Sequence, residues 1–417
     1  VRGRFALNAT NFFLAQITGL AVPFLADLLR EHGWSYDAIG VAQAMSALGV
    51  IVFQTPAGVL ADRARSPKLL FAVSALLVGL CYLAIPAVIE RRRAVDAMLF
   101  ASGLGQAFFA PLLACLALAT AGHAGLGRTV GMNQAWNHAG NVAAAWAALL
   151  LVKWSRLSWV FALIAAITIL AALSVAAIPS REVDAEAGCG GGAASPHALR
   201  ELLRDRRTLV LIAASGLFYL ASSAVLPLCA YRVKDLGGTD ASVAGLVITA
   251  QSAMIPVAIV AGFACDRGGR RSVLAVAFGA APLALLATGA IKSASALIAV
   301  QALEGVSLGA FGVAIIPVVA DLSAGKGRFN TLTGLVATVL AGVSVVGPLA
   351  GGFLAEEHGF RTALTVLAGI AAAGAVIFVA FMPETRPELA RRRGPGARQL
   401  GASANEDWTK TKARSRG

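Results

Sequence analysis

Two ionisable side chains stand well inside long apolar runs of this sequence, Glu304 in VQALEGVSLGAFG and His138 in VGMNQAWNHAGNVAAAW. An ionised carboxylate in such surroundings must pair, meet water or take up a proton. A neutral imidazole lends or accepts a proton near neutral pH. Both are candidates for proton coupling. Each also has a plainer reading: Glu304 in an ion pair or at the border of its run, and His138 bonded to the amide of Gln134, one turn earlier on the same face.

Amides surround these two groups. Asn133, Asn137 and Asn141 recur every four residues, and Gln134 and His138 repeat that spacing next to them, which makes one wet stripe on a helix. Polar side chains in hydrocarbon need partners, so the stripe faces either another helix or a water-filled path. Asn11 and Gln16 in the first apolar run, Tyr219 and Gln251 in the second half, and Gln301 one turn before Glu304 complete the candidate substrate path. No second His and no paired carboxylate stands at metal-ligand spacing. No phosphate-binding GxxxxGK[ST] and no Ser-His-Asp arrangement is found either. The expectation is a protein that is not an enzyme and has no metal or cofactor.

The elements that position these residues are membrane helices. The chain of 417 residues is 58% hydrophobic and only 14% charged, with a mean hydropathy of +0.74, against roughly 25% charged residues in an ordinary soluble domain. Apolar runs of about 20 residues, enough to cross a bilayer core, recur along nearly all of it. They fall at about 5–29, 38–60, 68–89, 95–120, 130–152 and 158–179, then at about 208–231, 242–263, 272–291, 294–320, 329–353 and 361–382. The first run is too long for a cleavable leader and is expected to stay in the membrane. The prediction is an all-α membrane protein with twelve spanning helices in two six-helix halves: 1–179, a linker over 180–207, and 208–382, followed by a disordered basic tail over 383–417.

The net charge of +13 does not point to nucleic acid, because the basic residues lie between the apolar runs and in the tail. With both termini placed in the cytoplasm, 25 of the 35 Lys and Arg lie on that side. This predicts a multi-pass protein of the inner cell membrane. The tail, beside a membrane, could touch anionic lipid head groups. The five cysteines show no CxxC spacing, and the four in or at the ends of apolar runs read as small hydrophobes.

One pattern occurs twice. GVLADRARSPK from Gly58 and GFACDRGGRR from Gly262 each follow the second run of a half, and their acids, Asp62 and Asp266, are 204 positions apart. Such doubling is the mark of an internal repeat. A carboxylate at this place can accept hydrogen bonds from a helix N-terminus, and guanidinium groups beside it can pair with carboxylates or with C-terminal carbonyls.

On these residues the chain resembles the major facilitator superfamily, whose signature loop between helices two and three is similar to GVLADRARSPK, with a counterpart between helices eight and nine similar to GFACDRGGRR. The resemblance covers about residues 5–382 and implies two pseudo-symmetric bundles around a central path, working by alternating access. It assigns conformational gating to Gly58, Asp62, Arg63 and Arg65, and to Gly262, Asp266, Arg267 and Arg270. The first copy carries Ser66 and Pro67 where a basic residue is often found, which implies a thinner charge network. Drug and proton antiporters of the superfamily commonly carry an Arg in helix four and a Gly-Pro motif at the end of helix five. LFASGLGQAFFAP and the stretch after Val130 have neither, and the Gly347-Pro348 pair of the eleventh run reads as packing and a bend.

The expected function is a monomeric secondary carrier of a small organic solute, with efflux in exchange for protons as the first expectation. Proton-coupled uptake of a metabolite is the alternative. A non-transporting receptor on the same fold is the rival from another class.

Overall fold

The computed structural model describes residues 2–154, 157–184, 198–324 and 328–386. The Gly-rich part of the expected linker and nearly all of the expected tail lie outside the described residues. The first half builds α1 (Arg2–Glu31), α2 (Tyr36–Asp62), α3 (Pro67–Val88), α4 (Arg92–Gln106), α5 (Phe109–Trp154) and α6 (Leu157–Ala176). A short α7 (Ala198–Leu202) precedes the second half. That half builds α8 (Arg206–Ser223), α9 (Val225–Asp235), α10 (Asp240–Gly268), α11 (Arg270–Ala290), α12 (Ala294–Ser323), α13 (Phe329–His358) and α14 (Phe360–Phe381).

Eleven helical stretches among the described residues are long and apolar enough to cross a membrane, and the longest, Arg92–Ala147, has 56 residues. At 1.5 Å per residue that is about 84 Å, far more than one crossing of a core about 30 Å thick and enough for two. It turns at Gly122, whose φ of 63° and ψ of 174° suit a residue without a Cβ. The fourth crossing is therefore α4 with the first part of α5, and the fifth is the remainder of α5, which makes twelve. The fifth starts directly after Gly122 rather than near residue 130. A stretch rich in Ala and Gly, ATAGHAGLG, reads as a loop by composition, yet here it is helical on both sides of the turn at Gly122. The seventh crossing is α8 and α9 together, divided at Ala224.

Caps set several starts. Ser66 accepts from Leu69 N (3.3 Å) at α3, Asp205 from Arg207 N (3.0 Å) at α8, and Thr239 with Ser242 forms a capping box at α10; each satisfies an otherwise orphan donor of a first turn. Within the first half, α1 packs on α5 and α6, α3 on α4 and α6, and α2 on α4. Within the second, α12 packs on α10 and α11, and α14 on α11 and α8. The second bundle is centred on Phe218, Phe278, Phe311 and Phe378, with ring centroids 4.6 Å apart for Phe218–Phe311 and 4.8 Å for Phe278–Phe378. Outer faces carry exposed Leu69, Val73, Leu80, Val276, Leu283 and Val376, the surface a helix presents to lipid rather than to water. The halves meet along α2 with α13 and α5 with α10.

Candidate functional site

Where the halves meet, a cavity of about 410 Å³ is lined by Gln134, Asn137, His138 and Asn141 of α5, Gln251 and Met254 of α10, Tyr219 of α8, Phe311 and Ile315 of α12, and Thr333 and Val336 of α13. The size is that of a small-molecule site. Its chemistry is two-sided. One wall is an amide and imidazole ladder, because residues four apart on α5 stack on one face; the other is aliphatic and aromatic. No carboxylate, ammonium or guanidinium group belongs to this lining.

His138 does not bond to Gln134. Its Nδ1 lies 2.7 Å from Gln251 Oε1, across the boundary between the halves, and Asn141 Nδ2 donates to the same oxygen at 3.5 Å. With that oxygen accepting, Nδ1 carries the hydrogen. Asn141 Nδ2 also donates to Asn137 Oδ1 (3.3 Å), and Asn137 Nδ2 to the carbonyl of Asn11 (3.3 Å).

Five sequence candidates lie outside this lining. Asn11 is buried and bonds Leu7 O (2.8 Å); Gln16 is half-buried on α1; Asn133 is buried with Oδ1 unpartnered in the protein. Gln301 and Glu304 are inside the second bundle. Gln301 Nε2 donates to Cys229 Sγ (3.4 Å) and Leu297 O (3.5 Å). Glu304, 4% exposed, lies near the Ser222 hydroxyl, and neither of its oxygens has a hydrogen-bond partner. Ser222 lies two residues before the division of the seventh crossing at Ala224.

Both Asp-Arg loops lie on the membrane face where the chain begins, as the ends of the second and eighth crossings must. Asp62, 7% exposed, accepts from Asn330 N (2.9 Å), Thr331 N (2.8 Å) and Thr331 Oγ1 (2.5 Å). It thus caps α13 of the other half, where free N–H groups and the helix dipole favour an anion. Gly58, one turn earlier, lies against the Asn330 carbonyl, so any Cβ there would strike main chain. The second copy mirrors this: Asp266 accepts from Gly127 N and Arg128 N, both 2.9 Å, in α5 of the first half. A Cβ on Gly262 would stand 2.7 Å from Gly127 O.

Arg270 is buried, forms an ion pair with Asp321 at the end of α12, and donates to His123 O (2.8 Å) in the first half. Arg63 and Arg65 are exposed. Arg267 is exposed too, with its guanidinium 5.7 Å from the Phe263 ring centroid. Sequence reasoning missed Asp321, the acidic partner of Arg270, and Thr333 of the cavity. Asp321 ends an apolar run facing a basic loop, a detectable signal; Thr333 resembles any other membrane Thr. Among the described residues no group of three or more His, Cys, Asp or Glu is placed to hold a metal ion.

The family model described as Major Facilitator Superfamily matches residues 7–239 and 211–415. Two uncharacterized MFS-type transporters of Mycobacterium tuberculosis are each 31% identical over 395 residues, covering 91% of this chain and 93% of theirs. A puromycin resistance protein of Streptomyces alboniger is 30% identical over 164 residues, 39% of this chain and 33% of its own. Among solved structures, the human organic anion transporter superposes with a TM-score of 0.74 at 15% identity, over 90% of this chain and 99% of its own. The E. coli fucose:proton symporter gives 0.73 at 17% identity, over 91% and 98%, and a proton:xylose symporter 0.74 at 13%, over 92% and 97%.

Proposed function

The chain belongs to the Major Facilitator Superfamily of secondary transporters and moves a small solute by alternating access, and we propose that it takes up an uncharged, hydroxyl- or amide-bearing metabolite in symport with protons. The observation that carries this reading is the two-sided lining of the central cavity. Asn, Gln, His and Tyr side chains donate to and accept from neutral polar groups, while a lining without a charged side chain leaves a solute ion uncompensated. The fold shared with two sugar:proton symporters supports uptake.

The proton is carried by Glu304. Its carboxyl group is buried with no charged partner among the described residues, near the Ser222 hydroxyl, and a proton relieves the unfavourable charge. Because Glu304 lies outside the cavity lining, coupling passes through the protein rather than through solute contact. Both loops close the face on which they lie, and the cycle requires these contacts to break as the bundles rock.

Flux into proteoliposomes, measured over a panel of neutral metabolites, tests the reading. An outside-acid gradient should drive accumulation. Glu304→Gln should abolish that accumulation while solute exchange persists. Normal driven flux in this variant would remove Glu304 from the mechanism and make His138 the next candidate. Efflux by proton antiport is the second reading, favoured by the partial relative named for puromycin resistance; accumulation driven by an inside-acid gradient would establish it.

A further inference from the structure

Apart from the central cavity, the second bundle has a groove of about 830 Å³ on the face that carries the two loops, where α8 and α11 begin and α14 ends. Its lining includes Arg206, Arg207 and Arg271, with Asp205 and Glu384 as its acids. Both acids are engaged. Asp205 caps α8, and Glu384 Oε1 accepts from the main-chain N of Arg270, Thr385 and Arg386, each at 3.1 Å. Arg271 is also spoken for: it donates to Met382 O (2.6 Å) and Val379 O (2.7 Å), the last carbonyls of α14.

Arg206 and Arg207 are different, since both are exposed. The Arg206 guanidinium lies over the Phe381 ring, 5.4 Å from its centroid, a contact that steadies the cation. Directly beside this basic rim, Leu209 on α8 and Val376, Val379 and Phe381 on α14 are exposed apolar side chains. They belong to helices that cross the membrane. A ligand that matches both parts has a phosphate at one end and hydrocarbon at the other.

We propose that this groove binds the head group of an anionic phospholipid, its phosphate between Arg206 and Arg207 and its acyl chains along Leu209, Val376 and Val379. Guanidinium forks match phosphate oxygens, and basic pockets at the membrane boundary favour anionic lipid. A free phosphate would use the rim and leave the apolar wall to other lipids. The inference is independent of which solute the carrier moves and of the direction of transport.

Native mass spectrometry of the purified full chain, equilibrated with equal phosphatidylglycerol and phosphatidylcholine, provides the test. The parent protein should retain phosphatidylglycerol in clear preference. Arg206→Ala with Arg207→Ala should reduce that preference about tenfold or more, on the scale of about one kcal/mol per basic residue near a surface. Arg206→Lys with Arg207→Lys should keep most of it. Arg91→Ala with Arg93→Ala, a charge-matched pair of exposed residues on the opposite face, should leave it unchanged. Equal retention of the two lipids by the parent, an unchanged preference in the Arg206/Arg207 alanine variant, or the same loss in the Arg91/Arg93 control would overturn the proposal. Displacement of the lipid by millimolar inorganic phosphate would overturn it too, in favour of a free-phosphate site. Melting temperatures of the variants, expected to match the parent, guard against unfolding as the cause of any loss.

Discussion

The two Asp-Arg loops are built on one plan and held by different forces. In each, a Gly lets the helix meet the other half closely, and an Asp one turn later accepts main-chain N–H groups of the opposite bundle. Each also has a basic residue tied to the end of the last helix of its own half: Lys68 to Ile178 O (2.8 Å) and Arg271 to Met382 O (2.6 Å). The carbonyl partners keep the 204-residue offset of the loops, since Ile178 and Met382 are also 204 apart, while Lys68 and Arg271 are 203 apart.

The difference is at Ser66 and Arg270, four residues after the respective Asp. Ser66 merely caps its own helix, whereas Arg270 is buried in an ion pair with Asp321 and reaches across to His123 O. The first latch therefore rests on an anion at a helix N-terminus; the second adds a buried charge pair. The repeat preserved the close approach and the cap, and the buried Arg270–Asp321 ion pair belongs to the second copy.

The comparison can be broken most forcefully at the charge pair. Asp321→Asn removes the carboxylate paired with the buried Arg270 guanidinium, and breaking a buried pair destabilises by about 3–5 kcal/mol. Thermal unfolding in detergent should show a large drop in Tm, partly restored when Arg270→Ala is added. An unchanged Tm in the single variant would mean that water or another group already neutralises Arg270.

Asp62→Asn acts on conformation more than on stability. It weakens charge-assisted bonds to Asn330 and Thr331, a loss of about 2 kcal/mol for the closed form. Distances between spin labels on the rims of the loop face should shift toward an open population while the fold persists. An unchanged distribution would leave Asp62 with only a topological role.

Thr331→Val sharpens the same point. It removes one hydroxyl donor and keeps the two main-chain bonds, so the shift should be smaller, about 1 kcal/mol. A shift as large as that of Asp62→Asn would place most of the latch in the hydroxyl. Smallest of all is Arg65→Ala: an exposed side chain should leave the distances unchanged, and a clear shift would restore the gating role that the family resemblance gives it.

Much of this molecule was legible before its structure. Bilayer thickness dictates runs of a given length, so composition alone gave twelve crossings. The doubled loop gave the repeat, and the four-residue spacing of Asn133, Asn137 and Asn141 gave a polar face on one helix. Where that face points could not be read. Asn137, His138 and Asn141 line the cavity while Asn133, one turn earlier on the same stripe, is buried outside that lining, because a long helix meets different neighbours along its length.

Only the tertiary structure paired His138 with Gln251 rather than Gln134, joined Arg270 to Asp321, and set Glu304 behind the cavity wall instead of on it. Sequence periodicity fixes which residues share a face, since that follows from the 3.6-residue turn of a single helix. Which face meets which neighbour depends on packing between helices distant in sequence. In this chain it was decided by glycines and buried charges at the few places where the two halves touch.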